Sequence, residues 1–419
     1  MLKTRTRIGA AIVTTALIVI GLVTSAVPAQ ADAPVTVTTT PSNDPFYAVP
    51  PGISDSAPGT ILDVRQVSLP VTSGVLDASA VYQVLYRTVD NHNQPTATVT
   101  TVFIPTAAWT GSQPRPLLSY QTAEDGLETT CAPSYLFDSG SVSATADGVI
   151  LTAALARGWI VSMPDYEGPN SEFLGAFGES REVLDGVRAA LQFAPTGLNA
   201  SSPVGIWGYS GGGYATDLAA QLQSSYAPTL NIQAIATGGM MADINGSVSE
   251  LSGSVYSAGL LYFVGALERS YPEADVSQYV TATAQQQITT ASQKCLTTVF
   301  LSGPFFTPVT SFEAYPGSLT SGAVYQLALQ ASPIDFPGVP QAPVYDYHAI
   351  LDEATPIAPD RQVMLNYCAE GVTVTHIELL AEHNTAAVVG LPGVLLFLDQ
   401  RFAGQTVATN CASIPHGSD

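Results

Sequence analysis

Apolar and polar positions alternate twice early in the chain, at residues 80–87 and 97–104, as in paired antiparallel strands with one buried face. Pro105 ends the second run. Short, continuous apolar runs follow at 116–120, 159–163, 204–207 and 232–236, each the length of a buried strand. Helical patterns lie between them. One covers 149–157; another covers 182–193, with Val183, Leu184, Val187, Ala190 and Leu191 at helical spacing. A third begins among the glycines after Tyr209. From 241 to 341 the pattern loosens, and apolar helical runs such as 255–267 alternate with breaks at Pro304, Pro308, Pro316 and Pro337. Strands return at 343–347 and 372–380, and a last apolar helix over 386–402 is expected to break at Pro392.

Strands alternating with helices imply a mostly parallel sheet covered on both faces. An antiparallel start, then βα units with a serine turn in mid-chain, is the order of the α/β-hydrolase fold. The loosely patterned residues 241–341 fall between two late strands, where a helical cap is expected. A second, independent domain is the alternative.

The amino terminus changes the picture of where the protein works. Lys3, Arg5 and Arg7 precede an apolar stretch at 8–27, and Ala29-Gln30-Ala31 closes it as a cleavage site. Residues 1–31 therefore predict a signal peptide, with a secreted chain starting near Asp32. An uncleaved anchor is the other reading, since the stretch is long enough to span a bilayer. Residues 32–58, rich in Pro, Thr and Ser, predict an extended arm. Net charge is −21, and −24 without the three leader cations, which leaves Lys294 as the last lysine. Such a surface repels nucleic acid and anionic membrane and fits a soluble extracellular protein, expected to be a monomer. In an exported chain, the widely spaced Cys131, Cys295, Cys368 and Cys411 predict two disulfides, with three possible connectivities. No Cys-x-x-Cys and no nearby histidine argue against zinc at these cysteines. Asn199 and Asn245 head glycosylation sequons, which matter only in a host that glycosylates.

Candidate chemistry centres on Gly208-Tyr209-Ser210-Gly211-Gly212, between an apolar strand and a helix, the setting of a nucleophile elbow. Serine needs a base, and the base needs an orienting carboxylate, in the chain order Ser, acid, His. Among five histidines, His92 and His348 come too early, His376 falls within a strand, and His416 lies in the tail. His383, just past the last strand, is the expected base. The acid belongs to the loop after the preceding strand, where Asp352 and Glu353 both qualify and Asp352 is favoured only slightly. Gly211 supplies one oxyanion amide; the second comes from the loop 121–126, where geometry alone does not choose the residue.

Ser119-Tyr120-Gln121 with Glu124-Asp125, Cys131-Ala132-Pro133-Ser134-Tyr135, the Ser210 elbow, His348-Ala349-Ile350 with Asp352-Glu353, and Ala381-Glu382-His383 occur in that order. Together they make the chain similar to secretory lipases of the Candida antarctica lipase A type, from about Asp44 to Cys411. The resemblance implies an α/β-hydrolase with a helical cap and a Ser210, Asp352, His383 triad. It also implies an oxyanion hole from the Asp125 and Gly211 amides, and disulfides Cys131–Cys295 and Cys368–Cys411. The implied activity is hydrolysis of lipid or other carboxylic esters through an acyl-enzyme, with no metal or cofactor and with transient contact with a lipid interface. Such lipases carry a longer carboxyl-terminal tail over the site entrance, so a more open esterase is also an expectation. A serine peptidase or amidase and a non-catalytic binding protein are the remaining alternatives.

Overall fold

The computed structural model describes residues 34–68, 76–139 and 142–416, and the expected signal peptide lies outside them. The strands are β1 (Ile61–Gln66), β2 (Ala78–Val89), β3 (Pro95–Pro105), β4 (Leu117–Gln121), β5 (Ile160–Pro164), β6 (Val204–Tyr209), β7 (Ile232–Gly238), β8 (Val344–Ala349) and β9 (Val374–Leu379). They form one sheet in the order β1-β2-β3-β5-β4-β6-β7-β8-β9. Pairing is antiparallel from β1 through β3 to β5, then parallel from β5 to β9. That is the α/β-hydrolase arrangement. The edge strand β1 had no counterpart in the sequence reading, because Asp63 and Arg65 leave it without an apolar run.

Twelve α-helices are described: α1 (Pro133–Ser139), α2 (Val142–Leu155), α3 (Ala176–Gln192), α4 (Gly211–Tyr226), α5 (Ile244–Leu251), α6 (Ala258–Ser270), α7 (Ala282–Ala291), α8 (Leu296–Ser302), α9 (Gly322–Ala331), α10 (Ile357–Ala369), α11 (His383–Val389) and α12 (Leu391–Phe402). Strand residues divide by parity between the two faces. Leu117, Val204, Ile206 and Ile235 join a buried cluster with side chains of α3, α4 and α10. Leu118, Trp207, Ala234 and Ala236 join another with Leu151 of α2 and Leu398 and Phe402 of α12. Fully burying an aliphatic side chain of this kind stabilises by about 1.5–3 kcal/mol, so each central strand is held from both sides.

Helices α5 to α9 all lie between β7 and β8. Leu260, Leu261, Phe263 and Leu267 of α6 belong to the same buried cluster as α3 and α4. Beside α6 the space left is a cavity of about 20 Å³, hardly more than one water needs. The apolar face of α6 therefore packs core. Cys131–Cys295 ties the segment after β4 to the start of α8, and Cys368–Cys411 ties α10 to the carboxyl-terminal segment, the pairing that the resemblance implies. The last apolar run breaks at Gly390, with Pro392 in the first turn of α12, where its missing N–H costs nothing. No single helix among the described residues is long and apolar enough to cross a membrane. Asn245 is buried and donates to the Tyr325 carbonyl at 3.1 Å, so its sequon is closed in the folded chain.

Candidate active site

β6 ends at Tyr209 and α4 starts at Gly211, which leaves Ser210 alone to turn the chain, at φ 58° and ψ −124°. A non-glycine residue held there costs about 1–3 kcal/mol of backbone strain. The surroundings enforce it. The Ser210 amide donates to the Gly238 carbonyl and its carbonyl accepts from the Tyr214 amide, both at 2.9 Å. A Cβ at Gly208 would stand 2.0 Å from the Gly212 carbonyl oxygen, and one at Gly212 would stand 2.0 Å from that of Gln121. Both glycines are therefore required by close approach, the first to the following helix and the second to β4.

The turn aims Ser210 Oγ at His383 Nε2, 2.8 Å away. His383 opens α11, and its Nδ1 lies 2.7 Å from Asp352 Oδ2. The ring packs against Tyr209, whose hydroxyl donates to the His383 carbonyl at 2.5 Å. Asp352 Oδ1 accepts from the Ala354 and Thr355 amides at 3.0 and 2.8 Å. Burial pushes the Asp352 carboxyl up, but the His383 hydrogen bond, the facing His383 and His348 rings and the Thr355 amide outweigh it. The net result is a pKa below the usual aspartate value. Glu353 takes a different part: its Oε2 accepts from the His383 backbone amide at 3.2 Å and so holds the helix start rather than the ring.

Asp125 sits on the facing loop with φ 43°. Its neighbours' amides are engaged: Glu124 donates to the Tyr166 hydroxyl at 3.1 Å, Gly126 to Glu167 Oε2 at 2.9 Å, and Leu127 to the Tyr262 hydroxyl at 2.6 Å. The Asp125 amide makes no such bond among the described residues, and the Gly211 amide, first in its helix, has no intrahelical acceptor. Two amides thus stand free on either side of the Ser210 turn. Asp125 Oδ1 is buried without a partner against Gly211, where a Cβ would stand only 1.7 Å from it. Burial pushes this carboxyl up to about 6, partly opposed by His383. A separate cleft of about 500 Å³, lined by Asp44, Tyr47, Thr98 and Asp165, contains none of these residues.

The secretory lipase family pattern matches residues 136–410. Lipase A of Arthroderma benhamiae is 35% identical over 93% of this chain and 84% of its own length. The chain belongs to the secretory lipase family. A probable inactive lipase of Mycobacterium tuberculosis is 33% identical over 87% of this chain and 83% of its own. The crystal structure of Candida antarctica lipase A superposes with a TM-score of 0.83 at 29% identity, covering 92% of this chain and 91% of that one. This secretory lipase is accordingly an α/β-hydrolase and a carboxylic ester hydrolase, and its substrates are esters or lipids.

The fold of this secretory lipase brings Ser210, His383 and Asp352 into one hydrogen-bonded line, with Gly211 and Asp125 beside it. Sequence reading missed the supports: Tyr209 under the imidazole, Thr355 behind Asp352, and Tyr166, Glu167 and Tyr262 under the Asp125 loop. Thr355 is three positions from Asp352, but the others act across tens to hundreds of positions of sequence separation, and no local pattern marks them.

Proposed function

We propose that this lipase cleaves esters through a Ser210–His383–Asp352 triad and an acyl-enzyme. The carrying observation is the unbroken relay from Ser210 Oγ to His383 Nε2 (2.8 Å) and from His383 Nδ1 to Asp352 Oδ2 (2.7 Å). His383 Nε2 takes the Ser210 proton as Oγ bonds to the ester carbonyl carbon. The Asp125 and Gly211 amides meet the charge that develops on the carbonyl oxygen; one such donor is worth about 2.7–4 kcal/mol. The C–O bond to the alcohol breaks as His383 returns the proton to it, and water then attacks the acyl-Ser210 by the same route. Ionised Asp352 fixes the tautomer and stabilises the transient imidazolium.

The same reading makes the protein an exported one, with helices α5 to α9 as a cap. Two disulfides and a surplus of carboxylates support that setting. Ile350, Leu351, Leu380, Val388 and Val389 are exposed large apolar side chains on the segments that carry Asp352 and His383. They support transient contact of the site rim with a lipid interface.

The test is labelling with a fluorophosphonate, read by peptide mass. Ser210 should carry the adduct, and Ser210→Ala should lose both the label and nitrophenyl-ester turnover. Substantial turnover by folded Ser210→Ala would overturn the mechanism. An acyl-chain series with and without an emulsion then separates lipase from esterase action.

A further inference from the structure

Behind the proposed triad acid lies a cluster that the ester chemistry does not use. Asp346 and His348 on β8 face His376 and Glu378 on β9 in direct cross-strand register, and Asp360 in the first turn of α10 leans over them. Asp346, His348 and Asp360 are fully buried, and His376 is 4% exposed. Ligand atoms of Asp346, Asp360 and His376 lie within 4.8 Å of one another. His348 Nδ1 lies 3.4 Å from Asp360 Oδ2, and His376 Nδ1 lies 3.8 Å from the same oxygen. These gaps are too long for good hydrogen bonds. The 3.4 Å gap matches the ligand-to-ligand edge of a tetrahedral ion, about 3.3–3.4 Å when bonds are about 2.0–2.1 Å, and the 3.8 Å gap exceeds it.

The proton positions point the same way. His348 Nε2 lies 2.8 Å from the Thr355 carbonyl, which only accepts, so Nε2 carries the hydrogen. His348 Nδ1 then faces the Asp360 carboxylate, a position where a second imidazole proton or a bound cation would each sit between the two. Asp346 Oδ1, both Asp360 oxygens and His348 Nδ1 are buried with no hydrogen-bond partner. The outer supports of a metal centre are also present. Metal-bound histidine normally gives its second N–H to a carbonyl or carboxylate. His348 has Thr355, and His376 Nε2 lies 3.3 Å from Glu378 Oε1. Glu378 is itself gripped by Arg361 through two bonds of 2.7 and 3.0 Å.

We propose that Asp346, Asp360 and His376, whose ligand atoms already lie within 4.8 Å of one another, form with the neighbouring His348 a structural site for one divalent borderline cation, Zn²⁺ by its imidazole–carboxylate donor set. His376 Nδ1 has only to exchange its 2.6 Å bond to Asp346 Oδ2 for a bond to the ion. The ion pins β8, β9 and α10 together one imidazole away from the proposed triad acid, since His348 Nε2 is also 3.6 Å from Asp352 Oδ2. The site holds architecture and takes no part in the ester chemistry.

The test uses the full chain, stripped with a chelator and titrated with Zn²⁺ and, separately, Co²⁺ near pH 8. One equivalent of Zn²⁺ should bind and raise Tm, and bound Co²⁺ should show the intense visible bands of a tetrahedral site. His376→Gln and Asp360→Asn should each lose the stoichiometric ion, and Glu378→Gln should weaken it by about 10–100-fold, as loss of an outer support does. Absence of stoichiometric Zn²⁺ binding, an octahedral Co²⁺ spectrum, or full binding by folded His376→Gln would each overturn the proposal. The wild-type Co²⁺ spectrum decides the matter even if the variants fail to fold.

Discussion

Asp352, behind the His383 ring, and Glu167, behind the Asp125 loop, are both buried carboxyls that each brace one half of the proposed machinery. Asp352 accepts from two backbone amides and an imidazole and faces His348, and these donors overcome burial and hold it ionised. Glu167 accepts from the Gly126 amide, but it shares its surroundings with Glu124, Glu179 and Asp125. Burial first, and those like charges second, push its pKa well above the usual range; Glu124 and Glu179 shift the same way. No cation pairs with any of the three glutamates among the described residues. Burial alone therefore does not set the charge of a carboxyl beside this serine. The number and sign of its partners do.

The most damaging way to probe the contrast is an isosteric amide on the charged side. Asp352→Asn keeps shape but presents the wrong hydrogen-bonding partner to His383 Nδ1, so kcat on a nitrophenyl ester should fall about 10⁴-fold. Glu353→Gln should change it far less, because Glu353 meets only the His383 amide. The reverse ranking would move the acid role to Glu353.

The unequal legibility of the two sides has a physical cause. The elbow could be read because Gly208 and Gly212 are demanded by contacts within and next to a single strand–turn–helix unit. His383 could be read because chain order leaves few histidines to choose from. Asp352 and Glu353 could not be separated, since adjacent residues differ only in which atom of His383 they reach. The acidic group under the Asp125 loop comes from three distant segments at 124, 167 and 179, and no spacing announces it. Similarly, α3 begins at Ala176, six residues before the predicted start, because its first turns bury Glu179 and Ser180 where an apolar period was sought. The β1 edge strand was missed for the related reason that its burial is partial throughout.

On the protonated side the same kind of substitution should be nearly silent. If Glu167 is a neutral acid, Glu167→Gln preserves its size and an acceptor for Gly126, and kcat/KM should stay close to that of the wild type. Glu167→Ala removes the acceptor and frees the Asp125 loop. It should lower kcat/KM by roughly 10–100-fold, less than outright loss of an oxyanion donor, and cost about 1–3 kcal/mol for the orphaned amide. Equal damage from Gln and Ala would mean that Glu167 acts as an anion, and the contrast with Asp352 would collapse.

The smallest effect is a slope rather than a loss. Carboxyls whose folded pKa lies above the unfolded value, near 4.3 for Glu, bind more protons in the folded chain than in the unfolded one between those two values. The contribution of each such group to unfolding free energy is therefore full below about 4 and falls as pH rises towards its raised folded value, by up to about 1.4 kcal/mol per pH unit. Asp352, shifted the other way, contributes stability that is present above its unfolded pKa and is lost only as pH falls through its lowered folded value. Urea unfolding of wild type and Glu179→Gln at pH 5 and pH 8 isolates one member of the acidic group. The variant should lose less stability than the wild type between the two pH values, because Gln has no proton to give up. Parallel losses would show that Glu179 is already ionised in the folded chain, and that the group behind the Asp125 loop is held by something other than shared protons.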